Sequence, residues 1–328
     1  MRITTLAGGI GAARFLRGLL THLERDSAAG THEVTVIGNT ADDITLFGLR
    51  VCPDLDTVMY TLGGGIHEEQ GWGRAGETFT LRDELAAYEV PPDWFTLGDR
   101  DFATHIVRTQ MLRSGWALSD VTAALCERWQ PGVRLIPMSD DPVETHVVVA
   151  DDEGQRAVHF QEWWVRMHAG VPAESFVFLG AAEATPAPGV LDALADADVV
   201  LLPPSNPVVS IGAILQVPGI RDALMACPAP VVGVSPIVAG APVRGMADAC
   251  LTAIGVETSA RAVAAHYGAR IAGGLLDGWL VSEDDAQQAA PPGIVQRGRP
   301  LLMSDADAAA DIAGAALDLA LGLAASRA

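Results

Sequence analysis

Val34-Thr35-Val36-Ile37-Gly38-Asn39-Thr40-Ala41-Asp42-Asp43 is the stretch that decides the fold. A short hydrophobic run passes without a break into a polar loop that ends in two carboxylates. Val34 to Gly38 reads as a buried parallel strand. Carboxylates at the C-terminal end of such a strand point into the crevice where open α/β sheets bind ligands. Upstream, Ile3 to Leu6 reads as another strand, followed by the loop Gly8-Gly9-Ile10-Gly11 and a helix from about Ala12 to His22. Downstream, Cys52-Pro53-Asp54-Leu55-Asp56-Thr57 adds two carboxylates, and a helix over Thr57 to Leu62 is stopped by Gly63-Gly64-Gly65. This order predicts an α/β fold with a doubly wound, mostly parallel, Rossmann-like sheet.

Farther along, Gly71 to Asp101 is rich in Trp, Gly and charge and has little periodicity, as ordered loops that line sites often do. Helices are expected over Phe102 to Arg113 and from a Ser119 cap to Trp129. Arg134 to Met138 and Glu144 to Val149 read as strands, and Asp151-Asp152-Glu153-Gly154 as a hairpin turn into Ala157 to Phe160. Phe176 to Leu179 and Val199 to Leu202 read as buried strands around a helix over Val190 to Ala195. Val231 to Val234 follows as a strand, then helices near Met246 to Ile254 and Ala260 to His266. Ala286 to Pro300 reads as a linker too near the end to separate domains. The chain is therefore expected to form one α/β domain over 1–328, with a helical and β-hairpin lobe inserted at about 63–175.

The 328 residues carry a formal charge of −20, which argues against nucleic-acid binding, since that rests on neutralising phosphates. All 21 basic residues are arginine and none is lysine. This excludes a P-loop lysine, a Schiff-base lysine and a lysine general base. Positive contact to phosphate must come from arginine, backbone N–H groups, helix N-termini or metal. The four cysteines, Cys52, Cys126, Cys227 and Cys250, contain no C-x-x-C spacing and suit a reducing cytoplasm. No signal peptide is evident at the N-terminus. The Ala-rich stretch from Asp305 to Leu323 is interrupted by aspartates and reads as an amphipathic helix rather than a membrane span.

Gly8, Gly9 and Gly11 let the backbone approach a diphosphate, and the helix that follows favours anions, with Arg14 on its first turns. Asp42, Asp43, Asp54 and Asp56 are hard oxygen donors suited to a magnesium ion bridging phosphates; each could also be a cap or turn residue. Ser205 and Asn206 lie in the Pro203-Pro204-Ser205-Asn206-Pro207 loop after a strand and could read a base or a phosphate. Arg100, in Gly98-Asp99-Arg100-Asp101, could bind an acidic ligand. His159-Phe160-Gln161-Glu162-Trp163-Trp164 could stack on a planar ring, or simply pack. His105 and His146 read as structural.

Taken together, these segments resemble the 2-phospho-L-lactate transferase family of coenzyme F(420) biosynthesis, and most closely its actinobacterial, phosphoenolpyruvate-using branch. The resemblance rests on Gly8-Gly9-Ile10-Gly11, Asn39 to Asp43, Cys52 to Thr57 and Trp94-Phe95-Thr96-Leu97-Gly98-Asp99-Arg100-Asp101. It continues through Met138 to Pro142, His159 to Trp164, Pro204 to Pro207 and Val234 to Val238. It implies a magnesium-dependent transfer from a guanosine diphosphate ester of a three-carbon acid to the deazaflavin alcohol Fo, with release of GMP. It also implies that Asp43 and Asp56 carry the catalytic and metal contacts, and that Thr96 touches the deazaflavin. Gly8, Gly9, Gly11, Arg14, Asp54, Asp56, Arg100, Ser205 and Asn206 would complete the substrate site. Family members look dimeric, which implies a homodimer; the cysteines, the charge and the sequence pattern add the expectation of a cytoplasmic protein with no nucleic-acid or membrane partner. Ile44 stands where members commonly carry an aromatic. A nucleotide-sugar-binding regulatory protein of the gluconeogenesis-factor group shares the glycine loop and the Asn-Thr-x-x-Asp pattern. A nucleotidyltransferase would share the glycines but use lysines that are absent here.

Overall fold

The computed structural model describes residues 1–26, 31–151 and 154–326. β1 (Arg2–Ala7) passes through Gly8 into α1 (Gly9–Arg25). The glycines are thus not a loop ahead of the helix, as expected, but its first turn, with Gly9 reversing the chain at a φ of 73° that glycine adopts without strain. β2 (Glu33–Gly38) is followed by a small hairpin of β3 (Ile44–Leu46) and β4 (Leu49–Val51). α2 (Pro53–Leu62) starts at Pro53 rather than Thr57. Proline's fixed φ suits a first helical position, and Asp54 and Asp56 in the first turn meet the positive end of the helix dipole. Next come α3 (Thr80–Ala87), α4 (Asp99–Arg113), α5 (Leu118–Trp129) and β5 (Arg134–Pro137). A three-stranded antiparallel sheet follows, of β6 (Glu144–Asp151), β7 (Gly154–His159) and β8 (Ala173–Leu179) in the order β7-β6-β8. The chain continues with α6 (Val190–Ala195), β9 (Val199–Leu202), α7 (Ile211–Ile214), α8 (Ile220–Ala226) and β10 (Val231–Val234). The short pair β11 (Ile237–Val238) and β12 (Ala241–Pro242) leads to α9 (Ala247–Ala253) and α10 (Ala260–Tyr267). β13 (Gly278–Val281), β14 (Val295–Gly298) and α11 (Ala306–Ala325) end the order.

Seven strands form the main sheet in the order β14-β13-β10-β9-β1-β2-β5, every neighbouring pair parallel. This is the doubly wound α/β architecture that the alternation of strands and helices predicts. Strand order grows from β1 toward β2 and β5 on one side, and toward β9 on the other. The switch point therefore lies between β1 and β9, where such folds open a ligand crevice. Alternate strand residues serve opposite faces. Ile3, Val36, Val199 and Leu201 join Phe15, Val58 and Ile312 under α1, α2 and α11. Leu6, Ile37, Val200 and Leu202 join Val190, Ile214 and Trp163 on the other face.

Several expectations need correction. Phe176 to Leu179 is not a buried strand of the parallel sheet but the end of β8 at an antiparallel edge, with Val177 40% and Leu179 47% exposed. Only Phe176 and Phe178 pack on the core, as one face of an antiparallel strand does. Ala286 to Pro300 is no linker, since it contains β14, whose edge position needs no continuous apolar run. Ser119 does not cap α5. Its N–H and hydroxyl both donate to Asp140, at 2.6 and 2.9 Å, and the helix begins at Leu118. The low periodicity of Gly71 to Asp101 has a cause, for α3 within it buries no residue. In the predicted Asp151-to-Gly154 turn, Asp152 and Glu153 lie outside the described residues. α11 is long and apolar enough to cross a membrane by length and composition, yet it lies along α1 as a core helix. A Cβ at Gly18 would strike the Ala309 carbonyl, and one at Gly314 would come 2.5 Å from the His22 ring.

Candidate active site

Three chain segments meet at the switch point. The Gly8 N–H donates to Ser205 Oγ across 3.4 Å, joining the end of β1 to the loop after β9. A Cβ at Gly8 would sit 2.6 Å from both Asp54 Oδ2 and Ser210 Cβ, and one at Gly11 would collide with the Pro204 carbonyl oxygen. These two glycines are therefore required by close approach. Asn39, at the end of β2, ties the cluster together. Its Nδ2 donates to Asp54 Oδ2 at 2.9 Å and to the Val209 carbonyl at 3.3 Å, while its Oδ1 accepts the Ala41 N–H at 3.0 Å.

The four aspartates fall into two kinds. Asp43 is fully buried, and neither carboxylate oxygen has a hydrogen-bond partner of normal geometry; Oδ1 of Asp42 is equally unmatched. The nearest cation to Asp43 is Arg50 of β4, with Nη2 3.5 Å from Oδ2. Burial pushes Asp43 up to about 7, the Arg50 guanidinium offsetting it only in part. Burial, and then the neighbouring Asp54 charge, raise Asp42 well above the usual carboxylate range. Burial raises Asp54 to about 6, against the Asn39 hydrogen bond. Asp56 is different. Both its oxygens accept from the buried Arg108 guanidinium of α4, the Nη1 contact at 3.0 Å. Burial works against the Arg108 charge, but the Asp56 carboxylate more than compensates and raises it. The network continues through His105, whose Nδ1 lies 3.8 Å from Asp56 and whose Nε2 lies 3.4 Å from Asp101. Asp101 in turn accepts the Tyr60 hydroxyl at 2.7 Å.

Among the described residues no three His, Cys, Asp or Glu side chains gather as a complete metal cage. Magnesium does not need one. It is usually held by one or two carboxylates and completed by waters and ligand phosphates. The unmatched oxygens of Asp42 and Asp43 fit that requirement.

The remaining candidates are more scattered. Thr96 lines a cavity of about 250 Å³ with His67, Trp72, Arg74, Phe79 and Asp101. Arg100 is exposed on α4, its guanidinium reaching the Ala75 carbonyl at 3.3 Å. Arg14 donates to the Glu68 carbonyl at 3.2 Å. Asn206 is engaged within its own loop, for its Oδ1 accepts the Val208 and Val209 N–H groups at 2.9 and 3.2 Å and its Nδ2 points to Cys250 Sγ at 3.3 Å. His159 to Trp164 supports the site from behind. His159 Nε2 and Gln161 Nε2 lie 3.3 Å from the Asp43 and Asp42 carbonyl oxygens, respectively. Trp163 is buried and donates to the Val171 carbonyl at 2.7 Å. Asn39, Arg50 and Arg108 are not singled out by sequence reasoning. Asn39 stands inside the quoted motif, whereas the two arginines carry no local signal.

The family model for 2-phospho-L-lactate transferase CofD matches residues 3–309. The chain belongs to the CofD family. It is 68% identical over 325 residues to the phosphoenolpyruvate transferase of Thermobifida fusca, covering 98% of this chain and 99% of that one. Its identity to the phosphoenolpyruvate transferase of Mycolicibacterium smegmatis is 58%, with the same coverage. A solved structure of an upf0052-family protein from Bacillus halodurans superposes with a TM-score of 0.60 over 96% of this chain and 99% of that one. Its 18% identity shows a shared fold. As a CofD-family member, the chain is a transferase of coenzyme F(420) biosynthesis.

Proposed function

We propose that this transferase moves a phosphoenolpyruvyl group, or the related 2-phospholactyl group, from a guanosine diphosphate ester to the primary hydroxyl of Fo. The hydroxyl gives up its proton to solvent as its oxygen forms a bond to the phosphorus carrying the three-carbon acid. The bond from that phosphorus to the GMP oxygen breaks, and GMP leaves. The observation that carries this reading is the Asp43 carboxylate, buried beside the crevice with neither oxygen matched by a hydrogen bond of normal geometry among the described residues. Asp43, with Asp42 beside it, would hold magnesium, which supplies charge neutralisation to the diphosphate when bound. Asp56, both of whose oxygens face Arg108, is assigned to orienting the site in place of direct ligation. The glycine turn offers backbone N–H groups and the N-terminus of a 17-residue helix to phosphate oxygens. The cavity beside Thr96 presents Trp72 and Phe79 to a planar ring, which suits the deazaflavin. Four free cysteines support a cytoplasmic setting, and the family resemblance supports a homodimer.

The test is mass spectrometry of the products formed from Fo, the guanosine diphosphate ester and magnesium. The expected result is an Fo phosphodiester of the three-carbon acid together with one equivalent of GMP. Retention of Fo without product would instead leave a binding protein.

A further inference from the structure

A group of guanidinium ions stands just outside the crevice, and the reading above gives it only one member, Arg14. Arg14 and Arg17 project from the first turns of α1, and Arg244 comes from the segment between β12 and α9. All three converge on the loop from His67 to Gly71. Arg14 Nη2 donates to the Glu68 carbonyl at 3.2 Å, and Arg244 Nη2 to the Glu69 carbonyl at 3.4 Å. A Cβ on Gly71 would lie 3.1 Å from Arg244 Nη1 and 2.8 Å from Ile10 Cγ2, so Arg244 and the glycine turn both close on Gly71. Gly245, at a φ of 81°, is backed by the Trp164 ring, which fixes where Arg244 starts.

The charge at this point is unbalanced. The chain has 41 acidic residues for 21 basic ones. Yet the Glu68 carboxylate is engaged by Arg17 at 2.6 Å, and among the described residues no Asp or Glu is within ion-pair distance of Arg14 or Arg244. Burial lowers the Arg14 pKa, and repulsion from Arg244 and then Arg17 lowers it further. Like charges held this close are stabilised by an anion placed between them.

We propose that Arg14 and Arg244 clamp the carboxylate of the three-carbon acid carried by the donor, an inference that rests on the proposed transfer. The diphosphate has its own partners in the helix N-terminus and the Asp42–Asp43 pair. Arg14 lies a turn farther along α1, beyond that point, and Arg244 reaches the next carbonyl of the same loop. The loop that receives them also walls the acceptor cavity through His67 and Gln70. The transferred unit must sit between the leaving nucleotide and the acceptor, and the two forks hold adjacent carbonyls of the loop that borders that position. Guanidinium forks match a planar carboxylate with paired hydrogen bonds.

The discriminating experiment compares GDP, which lacks the three-carbon acid, with the full ester. Arg244→Gln and Arg14→Gln should each raise KM for the ester about 10- to 100-fold, the loss of a charge-assisted contact. Each should leave the Kd for GDP within about twofold. Arg244→Lys, which keeps the charge but loses the fork, should recover only part of the loss. Equal weakening of GDP and ester would make the arginines loop supports or nucleotide contacts, and unchanged KM would remove them from the site; either result overturns the clamp. If the wild type gives no transfer, the functional reading fails separately. The clamp is then judged by calorimetry with free phosphoenolpyruvate, whose binding Arg244→Gln must weaken for it to stand.

Discussion

Asp43 and Asp56 lie on neighbouring segments and are both buried, yet their surroundings give them opposite properties. Asp56 faces the guanidinium fork of Arg108, while Asp43 has Arg50 at 3.5 Å and the Cys52 thiol beside it, and burial raises it to about 7. The folded chain therefore holds the Asp43 proton more tightly than the unfolded chain, whose value is near 3.8. The resulting stabilisation is complete below about pH 4 and is lost as the pH rises through about 7. The gap amounts to about 4 kcal/mol of penalty for the buried charge above that range. Asp43→Asn should remove it. Without added ligand, the variant is expected to melt higher than the wild type at pH 8 and to show a flatter stability profile between about pH 4 and 7, while transfer falls by about two decades or more. Thermal unfolding across that pH range checks this, and a variant that melts lower at pH 8 would mean that Asp43 carries no desolvation penalty. The aspartates are legible in the sequence because they directly follow a strand whose apolar run marks it as buried. Arg108 and Arg50 are not, because a single arginine in a mixed helix or hairpin looks the same whether it faces water or a buried carboxylate.

Secondary-structure elements were legible where one face or the whole of an element is apolar. β9 and β10 are unbroken apolar runs, and β1 and β2 set only threonines between their apolar residues, because helices cover both sides of the sheet. β14 and β8 lie at edges, and α3 buries nothing, so their sequences carry no such mark. The loop after β9 shows the same limit at finer grain. Its prolines mark a rigid turn, but not what the turn's polar side chains do. Asn206 was expected to hold the guanosine diphosphate part. The structure shows its Oδ1 closing the turn onto two N–H groups, while its own carbonyl accepts from Ser210 and Ile211 at the start of α7. Asn206→Ala should therefore destabilise the protein by about 1–3 kcal/mol, the cost of buried donors left unmatched. Asn206→Asp, which keeps the accepting oxygen, should retain most of the stability. Denaturant midpoints measured beside GDP affinity test this. A large loss of GDP binding at unchanged stability would return Asn206 to the nucleotide site.

At the scale of the whole molecule, the binding problem is one of charge. The chain carries a formal charge of −20, has no lysine, and buries Asp42, Asp43 and Asp54 at the crevice where a diphosphate would enter. The arginines nearest those carboxylates are already committed, Arg50 to Asp43 and Glu144, and Arg108 to Asp56. At these carboxylates a nucleotide diphosphate has backbone N–H groups as its fixed positive partners, since Arg14 and Arg244 stand farther along, outside the crevice. A divalent cation shared between the carboxylates and the phosphates reverses that balance, whereas a monovalent salt only screens it. GDP should therefore bind about a hundredfold or more weaker in excess EDTA than in millimolar magnesium, and sodium chloride at matched ionic strength should restore little of the loss. The dependence should nearly vanish in Asp43→Asn, because that variant removes both the repulsion and the ligand. Calorimetry of GDP binding under these conditions decides the matter. Equal affinity with and without magnesium in the wild type would show that backbone and arginine contacts suffice, and the magnesium assignment would have to be withdrawn.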